Sequence, residues 1–143
     1  MDISKIVPFI NAICTAVSFI LGFIIANYFH KQDVKTAKKQ ECFLDFYLPF
    51  VKMINYPYLL DNDMNFSELT EDEQNSIISF LISKDYLATK DIQHGIYSIN
   101  KFRYCVISNE DKTLIDKEFA NLFKAIIDEY RSLASELGYA TIL

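Results

Sequence analysis

The chain has 143 residues, room for one modest core beside a membrane segment, and its 14 Lys and Arg against 19 Asp and Glu leave a net charge of −5. That balance excludes the basic stripe of a nucleic-acid surface, since from Val34 onward 12 basic residues meet 17 acidic ones and the two arginines, Arg103 and Arg131, stand alone. The 3 cysteines, Cys14, Cys42 and Cys105, are odd in number and widely spaced, which excludes a disulfide scaffold and a zinc module and makes each a small hydrophobe.

From Ile6 to Phe29 the chain runs 24 residues without a charge. At 1.5 Å rise per residue this is a helix of about 36 Å, enough to cross a hydrocarbon layer of about 30 Å. A cleaved signal peptide has a shorter apolar core and small residues before the cut, whereas the best candidate site here is Ile24-Ile25-Ala26. A soluble core helix would need protein on every side, which the rest of a chain this short does not supply. The run therefore predicts an uncleaved transmembrane helix within residues 1–30, followed by a domain over 31–143. Only Lys5 and Asp2 precede the run, while Lys31, Lys35, Lys38 and Lys39 follow it. Positive charge marks the cytoplasmic side, so the N-terminus is expected outside and the domain in the cytoplasm of a single-pass cell-membrane protein. The four lysines are expected at the membrane surface, where they set topology; contact with anionic headgroups is the alternative role, four lysines being at the low end for a lipid-binding patch.

One face of the run is not uniformly apolar. Asn11, Thr15, Ser18, Gly22 and Ala26 follow at spacings of four, three, four and four, along a single helical stripe. Ser18, Gly22 and Ala26 form two small-xxx-small steps that let helix backbones approach in lipid, and Asn11 and Thr15 add hydrogen bonds between helices. With one such helix per chain the partner is another molecule, most simply a second copy. A ring of these helices with Asn11, Thr15 and Ser18 inward would be wettable.

Beyond the membrane the pattern is helical. Phe43, Tyr47, Phe50 and Ile54, widened by Leu44, Leu48 and Val51, predict a helix from Val34 to about Tyr56, with Pro49 kinking or restarting it and Tyr56-Pro57 ending it. The aromatics Phe43, Phe46, Tyr47, Phe50, Tyr56 and Tyr58 cover more than one face; they read first as helical core, and any excess over what one side of a small bundle requires suits a subunit interface. After a polar loop, Thr70 with Glu73 reads as a capping box opening a second helix with Ile77, Ile78, Leu81 and Ile82 buried, ending near Asp85. A third starts after Thr89 with Ile92, Ile96, Ile99 and Phe102 on one side and continues to Ile107. The last is capped by Ser108 or Asn109, carries Leu114, Ile115, Phe119, Leu122, Phe123, Ile126, Ile127, Tyr130, Leu133 and Leu137, and stops at Gly138.

Residues that could carry chemistry are few and unclustered. His30 lies at the membrane boundary and reads as interfacial, and His94 falls off the apolar face of its helix with no nucleophile near it in sequence. No histidine follows either arginine in the Arg-x4-His arrangement of small helical ribonuclease domains. Asp61-Asn62-Asp63-Met64-Asn65 opens like a calcium loop, but Phe66 and Asp72 stand where the loop needs glycine and glutamate. Glu68 to Glu73 is an acidic helix start rather than a metal site.

The sequence thus predicts an all-α protein: an N-terminal transmembrane helix and a small cytosolic antiparallel bundle of about four helices. In layout it resembles small single-span proteins with cytosolic helical domains in prophages and bacterial defence systems, with no motif carrying the resemblance. The expected function is non-enzymatic, without cofactor, metal or nucleic acid. The membrane helix self-associates, and the protein acts as a scaffold, inhibitor or small pore-forming effector in the lipid bilayer. The alternative is a monomeric anchored adaptor that binds a protein partner.

Overall fold

The computed structural model of the chain describes residues 3–54, 65–104 and 109–140, with side chains from Cys14 onward other than those of Arg103 and Asn109. Its regular structure is helical, and no strand occurs among the described residues. In chain order, α1 spans Ile3–Cys42 and a π-helical turn Phe43–Tyr47, and α2 covers Leu48–Met53. After a 3-10 turn at Phe66–Glu68 come α3, Glu71–Ser83, a second 3-10 turn at Asp85–Leu87, α4, Lys90–Arg103, and α5, Asn109–Leu137. By internal packing the chain divides into Met1–Lys38 and Lys39–Leu143.

In the first unit, every described side chain from Cys14 to Lys38 is exposed. Large apolar groups are among them, with Phe19 at 78% and Phe23 at 70%. The helix is long and apolar enough to cross a membrane.

In the second unit Pro49 explains the π turn. An unbroken α-helix would need a Pro49 N–H to bond the Asp45 carbonyl, and proline has none. The ladder shifts register instead: the Leu48 N–H donates to the Phe43 carbonyl five residues back, and α2 then starts with Pro49 in its first turn, where a missing donor is harmless. The helix ends at Met53, with Ile54 donating to the Phe50 carbonyl at 3.0 Å. The expected end at Tyr56-Pro57 and the acidic loop at Asp61 to Met64 lie outside the described residues.

The starts of α3 and α4 use one local device twice. A 3-10 turn precedes a threonine N-cap residue, and a glutamine four residues beyond that threonine reaches back over the turn. Gln74 Nε2 donates to the carbonyls of Phe66 at 3.0 Å and Leu69 at 3.1 Å. Gln93 Nε2 donates to those of Asp85 at 2.9 Å and Ala88 at 3.2 Å. Each amide bonds two carbonyls of its turn: that of Phe66 or Asp85, which also accepts the turn's own N–H from Leu69 or Ala88, and that of Leu69 or Ala88. At α3 the expected capping box is present: Thr70 Oγ1 accepts from the Glu73 N–H at 3.4 Å, and the Glu73 carboxylate accepts from the Thr70 N–H at 2.9 Å. Thr89 makes no such side-chain bond, so there Gln93 acts without a box.

α4 ends at Arg103, short of the expected Ile107, and residues 105–108, including the expected cap Ser108, lie outside the described residues. α5 packs against α4, the π turn and the 66–68 turn. It stops where expected: Gly138 has φ +73°, its N–H donates to the Ser135 carbonyl at 3.3 Å, and the Tyr139 N–H donates to Ala134 at 2.9 Å. This is a Schellman ending, whose left-handed position suits a residue without Cβ.

The broad aromatic surface after the apolar run is core, as first expected: Phe43, Phe46, Tyr47 and Phe50 are all buried inside this unit and none is left over for a subunit interface, while Tyr56 and Tyr58 lie outside the described residues. Phe43 is sandwiched between Tyr130 at 5.4 Å and Tyr139 at 4.9 Å, both nearly parallel to it. Phe46 meets Phe50 and Phe80, Phe50 meets Phe123, and Phe123 leads through Phe119 to Phe66, forming one chain of rings. Three aliphatic positions differ: Ile82 and Leu114, each 43% exposed, and Leu44, 40% exposed, are expected on apolar faces and lie at the edges of helices covered from one side.

Candidate functional site

The face of α1 singled out in the sequence is a physical groove. Because Thr15, Ser18, Gly22 and Ala26 are short, they leave a shallow channel along the helix, walled by Cys14, Phe19 and Phe23. A Cβ added at Gly22 would meet nothing within 4 Å. Any partner filling that space therefore comes from outside this helix. Asn11 lies on α1, and its side chain is outside the described set. Among the described residues nothing in the first unit covers the large apolar groups flanking the groove, and so extensive an exposed apolar surface calls for lipid or another protein.

Lys31, Lys35 and Lys38 are exposed on the polar end of α1. At 100° per residue they fall within about 60° of one another and on the opposite side of the helix from the groove. Lys39 has a different environment: its ammonium pairs with the Glu136 carboxylate on α5, both side chains 49% exposed. Next to it, Gln40 Nε2 donates to the Tyr139 hydroxyl at 3.2 Å. At such exposure the pair contributes at most about 1 kcal/mol. Lys39 and Glu136 give no sequence signal for this pairing, which joins positions 97 apart.

Both histidines are exposed, His30 on α1 and His94 on α4. Cys14 is exposed, Cys42 is half-buried and neither is in a disulfide, while Cys105 lies outside the described residues. Among the described residues no three His, Cys, Asp or Glu side chains converge as metal ligands. Two polar groups have demanding environments, and both serve the fold. Tyr47 is buried, which pushes its phenol up to about 12, with the Glu129 carboxylate adding to the rise and the Thr89 backbone amide opposing it. On α5 the Asp116 carboxylate accepts from the Ser67 N–H and the Ser67 hydroxyl, each at 2.7 Å, clamping the 66–68 turn to that helix. Ser67 and Asp116 are 49 residues apart, and only packing joins them.

Comparison of the chain with protein-family models, with curated proteins and with solved structures finds no match.

Proposed function

We propose that the chain is a single-pass membrane protein whose apolar helix self-associates through Asn11, Thr15, Ser18, Gly22 and Ala26. It carries a cytoplasmic antiparallel helical bundle and works without catalysis, as a scaffold, inhibitor or small pore-forming effector. The observation that supports it is the groove: an exposed apolar helix with one small-residue face, open at Gly22 and walled by phenylalanines. In lipid, large apolar side chains gain little by clustering, and close backbone packing at small residues is what favours association. The lysines after the run support the orientation with the N-terminus outside.

Gly22→Leu tests it. The added side chain has open space in a single chain, and leucine is the better helix former by roughly 0.8 kcal/mol, so a monomeric span would be unharmed. In a self-associated span it blocks the closest approach. Mass photometry or crosslinking in detergent should show a defined oligomer for the natural chain and an association at least about tenfold weaker, roughly 1.4 kcal/mol, for Gly22→Leu. A monomer at every concentration overturns self-association and leaves the anchored adaptor. A closed ring would point to a pore, a dimer to scaffolding or inhibition.

A further inference from the structure

Besides the lysine face of α1, a second cationic stripe runs along α4 and its C-terminal cap residue, Tyr104. Lys90, His94, Tyr97, Lys101 and Tyr104 succeed one another at spacings of four, three, four and three, and all five are exposed. At 100° per residue they fall within an arc of about 80°, opposite the buried Ile92, Ile96 and Ile99. Tyr97 is 70% and Tyr104 74% exposed, although each carries a ring large enough to dominate a contact. The one acid of α4, Asp91, lies off this arc. In a chain of net charge −5, a helix-long stripe with two lysines, a histidine, two tyrosines and no acid is a local inversion of charge.

We infer that this stripe is a docking surface for the anionic headgroup layer of the bilayer, an inference that rests on the membrane reading above. Three features favour lipid over a protein or nucleic-acid occupant. Tyrosine and lysine are the side chains that settle at the headgroup level, the ring among glycerol groups and the ammonium on phosphates. The stripe runs straight for about 21 Å along one helix, matching a plane rather than a concave partner. A domain tethered to the membrane meets that plane at high effective concentration, so weak attraction suffices. Each lysine near an anionic surface favours attachment by about fivefold, and Lys90 with Lys101 by about thirtyfold together.

The chain contains no tryptophan, so Tyr97→Trp introduces a single fluorescent indole at a site exposed enough to accept it. The full-length variant is placed in nanodiscs of phosphatidylcholine alone or with phosphatidylglycerol, and a separate Lys124→Trp variant, with its indole on α5, serves as control. Docking shifts the Tyr97→Trp emission to the blue and lets headgroup-brominated lipid quench it in the anionic discs. Both effects fall toward the neutral-disc level when Lys90→Gln and Lys101→Gln are added, and the control emission stays unchanged. Tyr97→Trp emission that is the same in anionic discs, neutral discs and detergent overturns the inference. So does a shift that ignores lipid charge and follows the number of chains per disc, which would assign the stripe to a protein. Failure of the chain to co-purify with discs is seen before any emission is recorded, and it overturns the membrane reading together with this inference.

Discussion

Removing the Asp116 carboxylate should release the 66–68 turn from α5. Hydrogen bonds to a charged group contribute about 1.5–3 kcal/mol each when shielded, and both bonds to Ser67 are half-buried, so after the freed serine regains water the loss is about 2 kcal/mol. Alanine is a better helix former than aspartate by roughly 0.6 kcal/mol at this helical position, which lowers the net cost of Asp116→Ala to about 1.5 kcal/mol. Ser67→Ala removes only the hydroxyl bond and should cost about 1 kcal/mol alone, but almost nothing once Asp116 is gone, giving a coupling of about 1 kcal/mol. For a unit of the size of Lys39–Leu143 each kcal/mol lowers Tm by about 4–8 °C, so Asp116→Ala should melt roughly 6–12 °C lower. The assay is near-UV circular dichroism of the full-length chain in mild detergent, which follows the packed aromatics and is insensitive to residual helix in α1. A midpoint change under about 2 °C would refute the clamp. So would an undiminished Ser67→Ala effect in the Asp116→Ala background.

Two further outcomes follow from the local devices. Gln74→Ala and Gln93→Ala each remove two amide bonds over a 3-10 turn and should each cost about 1–2 kcal/mol, while Gln→Glu at the same sites should cost at least as much because a carboxylate cannot donate. Hydrogen exchange at the Leu69 and Ala88 amides reads this directly, and unchanged protection would show that the glutamines do not hold the turns. The Thr70 hydroxyl and backbone amide hold the Glu73 carboxyl below its ordinary value of 4.5. Because the folded value is the lower one, the cap's contribution is complete above pH 4.5 and is lost as pH falls through the depressed value. A carbon-13 titration of Glu73 should give a midpoint below 4.5 that rises toward it in Thr70→Ala, and an unshifted midpoint in the natural chain would argue against the box.

The features readable from residue order are those whose physical cause is local. The charge-free run, the Thr70–Glu73 box, the helix starts after Thr70 and Thr89 and the stop at Gly138 each depend on groups within a few residues, and each recurs in the structure where the sequence places it. The stripe from Thr15 to Ala26 was legible for the same reason, since helical period alone aligns those positions. Tertiary packing decided the rest. Periodicity marks Phe43, Phe46, Tyr47 and Phe50 as apolar but does not say what covers them, and it was Tyr130, Tyr139, Phe80 and Phe123, arriving from distant segments, that made all four core and left no excess for an interface. Packing also joined Asp116 to Ser67 and Lys39 to Glu136, and it left Ile82, Leu114, Tyr97 and Tyr104 outside. Local chemistry chooses helix and cap because its partners are neighbours in the chain, whereas burial is a property of pairs whose separation along the sequence carries no signal of their meeting.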